Sequence, residues 1–101
     1  MRELNREAFE GVLNQSFQVG PFVGPDGARV PFELQLVEVL RPDPNGHPES
    51  YVVRFRGPPS PVLAQGTYPF THAELGTHPV FVVTTGRDAR GADYEAVFNR
   101  G

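Results

Sequence analysis

The chain has 101 residues, a net charge of −3, nine basic residues that are all arginine, and no cysteine. Without cysteine there are no disulfides, thiolate nucleophiles, iron–sulfur clusters or sulfur-ligated zinc sites, and the acidic balance lacks the clustered positive charge of a nucleic-acid binder. An apolar content of 39% with eight phenylalanines excludes a disordered chain, and the length points to a single small domain over residues 1–101, which its turn-rich composition marks as β-rich.

Eleven glycines and eleven prolines lie between short apolar runs with no collagen period, the pattern of many short elements joined by turns. At the N-terminus Asn5 is placed as a helix cap, Glu7 lies in the first turn, and Leu4 and Phe9 have the spacing of a hydrophobic staple. These signals predict a short helix over residues 5–13. Ala8, Phe9, Val12 and Leu13 fall on one stripe, which must pack on something larger, such as one end of a sheet or barrel.

Phe17 and Val19 alternate with polar neighbours, so a strand is expected over residues 15–23, weakening near Pro21. A turn follows at Gly24-Pro25-Asp26-Gly27. From residue 30 to 40, Val30, Phe32, Leu34 and Leu36 share one face while Val37 and Val39 share the other, which predicts a strand with a β-bulge at Leu36 or Val37. Residues 42–48 read as an exposed, mobile loop. Next comes a strand with Tyr51, Val53 and Phe55 on one face and Val52, Arg54 and Arg56 on the other, stopped by Gly57-Pro58-Pro59-Ser60-Pro61.

The remaining elements are a strand over residues 66–70, a loop at 72–76, a β-branched strand over 80–85, a turn at 86–91 and a last strand over 94–98. Six short strands at this spacing predict a mainly β fold, a six-stranded antiparallel barrel or sandwich with a short N-terminal helix. Its core should centre on Phe17, Phe32, Leu34, Leu36, Val53, Phe55, Tyr68, Val82, Tyr94 and Phe98.

The phrases Phe55-Arg56-Gly57-Pro58, Gln65-Gly66-Thr67-Tyr68, residues 72–76 and Tyr94-Glu95-Ala96-Val97-Phe98-Asn99, preceded by the Phe9 helix and Gln15-Ser16-Phe17, resemble a family of small stand-alone bacterial domains of unknown function. Some members are encoded beside phage-tail-collar-like proteins. The resemblance implies an accessory to a tail or appendage and brings no catalytic or binding residues with it.

Candidate chemistry is sparse. His72 and His78 with Glu74 place two imidazoles and a carboxylate within seven residues, but the spacing matches no standard metal motif, so surface histidines and no metal are expected. Ser16, Ser50 and Ser60 lack any activating context, and Glu33 and Glu38 face opposite ways on a regular strand. No enzymatic activity and no cofactor are therefore expected. The segment Pro58–Pro61 fits a minimal P-x-x-P and reads as a stiff connection.

Arg54 and Arg56 point the same way, a fork suited to a carboxylate or phosphate, and they are the candidate binding residues; salt bridges to nearby Glu are the plainer reading. The expected role is a non-enzymatic structural or protein-interaction module, with a small-ligand-binding barrel and an enzyme of unknown class as alternatives. The partner is expected to be protein rather than nucleic acid, without membrane insertion, and the oligomeric state is open. No export signal or apolar span is visible, so a soluble chain, cytoplasmic at synthesis, is expected.

Overall fold

The computed structural model describes residues 4–40 and 50–98. The loop expected at residues 42–48 lies outside them. The helix α1 spans Arg6–Glu10, capped by the Asn5 side chain, whose Oδ1 accepts from the Ala8 N–H at 2.7 Å. It is shorter than the sequence predicts because Gly11 takes the C-cap, with its N–H bonded to the Glu7 carbonyl. Phe9 and Val12 are buried as the stripe requires, but Leu13, beyond the cap, turns out to solvent.

Among the described residues eight strands follow: β1 (Ser16–Val19), β2 (Phe22–Val23), β3 (Arg29–Val30), β4 (Glu33–Leu40), β5 (Tyr51–Gly57), β6 (Gly66–His72), β7 (Gly76–Arg87) and β8 (Ala92–Phe98). Six of them close a barrel in the order β1-β4-β5-β8-β7-β6, with antiparallel neighbours throughout. The expected six-stranded antiparallel β fold with an N-terminal helix is therefore found, in its barrel form.

Two expected strands are each broken in two. Gly20 has φ +117°, and a Cβ there would lie 2.8 Å from the Phe22 backbone nitrogen, so the chain turns sharply after β1. Pro31 breaks the next run. The freed pieces, β2 and β3, pair with each other as a small outlying hairpin, with Phe22 opposite Val30. Val30 thereby leaves the core face assigned to it and is exposed.

The bulge predicted at Leu36 or Val37 is present, since Leu36 pairs with Phe55 and Glu38 with Arg54, leaving Val37 unpaired. The strand β7 is the longest and serves two neighbours: its first half pairs with β6 and its second half with β8, with a register shift between Thr84 and Gly86. Such shifts let a small sheet bend enough to close.

Of the expected core, Phe17, Phe32, Leu34, Leu36, Val53, Phe55, Val82 and Tyr94 are buried, together with Phe9, Tyr51, Phe70, Leu75 and Val80. Tyr68 and Phe98 are only partly buried against it. Tyr68 keeps its hydroxyl at the surface, where it donates to the Ala64 carbonyl at 2.8 Å, and Phe98 stacks on Tyr51 at the helix end of the barrel. At the other end, the connection from β5 to β6 folds Leu63 inward. Its N–H donates to the Tyr94 hydroxyl at 2.9 Å, and its carbonyl accepts from the Thr84 hydroxyl at 2.9 Å.

Candidate functional site

Alternation along β5 sends Tyr51, Val53 and Phe55 inward and leaves Arg54 and Arg56 on the outer face, as the sequence requires. Because β5 lies between β4 and β8, cross-strand register then decides what each guanidinium meets. Arg54 pairs with Glu38 on one side and Glu95 on the other, and its ion pairs to these carboxylates are 3.2 and 3.4 Å long. Arg56 lies opposite Asp93, with Nη1 at 2.7 Å from Asp93 Oδ1, while Nη2 reaches Asp88 Oδ1 at 2.9 Å.

The β7–β8 turn brings Asp88 over the sheet. Its carboxylate also accepts the N–H groups of Arg90 at 2.8 Å and Gly91 at 3.0 Å, an Asx-type closure of the turn. Gly91 is needed for this approach, because a Cβ there would stand 2.6 Å from the Gly57 carbonyl oxygen and 3.0 Å from Arg56 Nε. Those two N–H groups, with Arg56 adding to them, hold the Asp88 carboxyl below the usual carboxylate range. Its hydrogen bond to Asp93 and the charge of Asp88 push the Arg56 guanidinium further above its already high value.

The two forks are thus saturated by carboxylates of the same chain. Glu38, Asp88, Asp93 and Glu95 outnumber the two arginines, so the face that reads in sequence as an anion site carries an excess of negative charge. Arg54, with half its side chain exposed, remains the more accessible, against 32% for Arg56. Both can still change partners, since exposed ion pairs of this kind are weak and exchangeable.

The histidine segment is arranged differently from the expected surface loop. His72 is buried at the end of β6 beside Phe17, its ring centroid 5.0 Å from that of the phenylalanine. Its Nδ1 accepts from the Glu74 N–H at 3.0 Å, so the proton sits on Nε2, which donates to Gln15 Oε1 at 2.7 Å. His78 Nε2 donates to the Leu75 carbonyl at 2.6 Å. These bonds tie the short β6–β7 turn to the barrel rim, where Leu75 is buried. Among the described residues no three His, Asp or Glu side chains gather as a metal-holding group.

An open groove of about 490 Å³ runs between the β2–β3 hairpin and the barrel, lined among others by Gln18, Gly20, Pro21, Arg29, Val30 and Phe32. Sequence reasoning missed it because it depends on the hairpin folding away from the barrel. It anticipated salt bridges to nearby Glu around Arg54 and Arg56, but not which carboxylates supply them, since these come from strands and a turn distant in the chain. Only their alternation with inward residues could have placed them on the outer face.

Among the described residues no helix is long and apolar enough to cross a membrane. No curated protein and no solved structure matches the chain. A family model does match it, over residues 4–98, and on that match the chain belongs to the family described as a domain of unknown function, DUF6916.

Proposed function

We propose that this chain is a non-enzymatic structural or protein-interaction module that works through the outside of its barrel, as an accessory to a tail-like or surface assembly. The observation that carries this reading is the occupied interior. Phe17, Phe55 and Phe70 stand ring against ring, with centroids 5.1 to 6.3 Å apart, so the middle of the barrel is filled by the protein's own side chains. Recognition then falls to the outer surface. The resemblance to domains encoded beside phage-tail-collar-like proteins suggests the kind of assembly.

On that surface Arg54 and Arg56 are the proposed docking residues. A partner exchanges ion pairs with the ladder: its carboxylates take the planar forks, and its cations take the carboxylates released. Binding of a small ligand is a second reading, favoured by the groove at the β2–β3 hairpin, whose volume lies in the range of ligand sites.

The test compares immobilised wild type with the Arg54→Ala/Arg56→Ala double variant, both checked for an unchanged circular dichroism spectrum. Proteins of the native organism that the wild type retains should be lost from the double variant. Equal capture by the two would remove the arginines from the docking surface. Chemical-shift changes confined to Val30 and Phe32 on adding small molecules would favour the second reading.

A further inference from the structure

Charge is distributed very unevenly along this chain. From Gly57 to Gly86 only Glu74 is charged, where the chain's 21% average would place about six charged residues, and depletion of charge is the compositional mark of an interface core. The fold spreads this stretch across one side of the barrel as the β6–β7 hairpin. Outward positions on β6 are Thr67, Pro69 and Thr71, and the register sets them opposite Phe81, Pro79 and Thr77.

The result is a neutral face with an aromatic ring in it. Phe81 is 51% exposed, and Val97 on the neighbouring strand β8 is 61% exposed. The hydroxyls of Thr71 and Thr77 lie 2.8 Å apart and share a hydrogen bond, which lowers the cost of covering them. Proline and threonine are stiff, and holding them in an interface loses little side-chain freedom.

We propose that the outer face of the β6–β7 hairpin is an interface between two copies of this chain. The argument for a second copy is electrostatic. Two molecules of net charge −3 repel, and the β4–β5–β8 face, with its excess of carboxylates, would set like charge against like. The neutral face avoids that penalty. A two-fold interface must also be compatible with itself, a condition that an uncharged patch meets and a patch of one sign does not. Phe81 supplies the apolar anchor, with Pro69 and Pro79 as flat surfaces for the partner's ring.

This interface is separate from the arginine face, and the experiment keeps them apart. Sedimentation equilibrium of the wild type should give a dimer, with Phe81→Glu weakening self-association at least about tenfold. Thr67→Glu, across the ladder from Phe81, should do the same, and either variant suffices if the other fails to fold. Arg54→Ala/Arg56→Ala should remain dimeric. A wild type that stays monomeric up to about 1 mM would overturn the proposal. So would a dimer indifferent to both glutamates, or a monomeric wild type that uses Phe81 to capture a different protein.

Discussion

Replacing Phe55 by alanine probes the centre of the barrel. Its ring is fully buried and meets Phe9, Phe17 and Phe70 at centroid distances of 6.4, 5.6 and 5.1 Å. The backbone neighbours on either side, Leu36 on β4 and Tyr94 on β8, are fixed by the ladder and cannot close over the space left. Truncation of a buried phenylalanine costs about 3–5 kcal/mol, against about 5–15 kcal/mol for a typical domain. At about 4–8 °C per kcal/mol, Tm should fall by at least about 12 °C. Thermal melts followed by circular dichroism give the number, and an increase in Tm on adding benzene would show that the cavity stays open. A Tm within about 2 °C of wild type would refute the inward phase of β5.

Two further predictions concern the end of the barrel away from the helix. Tyr94→Phe removes one oxygen and leaves the Leu63 N–H without its acceptor, and urea unfolding should register a loss of about 1–3 kcal/mol; no loss would show that the bond contributes nothing. Asp88→Asn keeps an acceptor for the turn but removes the charge. Because the Asp88 carboxyl is held low in the folded state, it stabilises above the unfolded carboxylate value near pH 4, and that stabilisation disappears as pH falls through the folded value. The wild type should therefore melt above Asp88→Asn at pH 7, with the gap closing below about pH 4. A gap unchanged down to about pH 2 would contradict the assignment.

Much of the fold was legible because its signals are local. The Asn5 cap, the alternation in β5 and the two-faced run around Val37 each act within a few residues, and each produced the element its pattern implies. Proline and glycine were visible as breaks, but not what the broken pieces would do. Gly20 and Pro31 could as well have bent one strand as released β2 and β3 to pair with each other. The candidate site was half legible for a similar reason. The outward direction of Arg54 and Arg56 follows from period two, whereas their partners follow from the register between β5 and strands β4 and β8, which no local pattern encodes. His72 misled because residues 72–76 read as a loop between strands, while its ring fits under the turn by bonding Gln15, far away in the chain.

The hydrogen bonds that seat Leu63 use only main-chain atoms on the loop's side, while its side chain is buried in the core. Tyr94 and Thr84 hold an N–H and a carbonyl, which any residue but proline presents, so another apolar side chain of similar size would keep the seat. The exposed positions of the connection over residues 58–65 can therefore change their side chains over evolutionary time without loosening its seat on the barrel, as long as the two hydroxyls and an apolar residue at 63 stay. Proline at position 63 is the exception, since it has no N–H to give. Conservation of this closure would be found in the strands that hold the loop and at position 63, rather than at the loop's exposed positions.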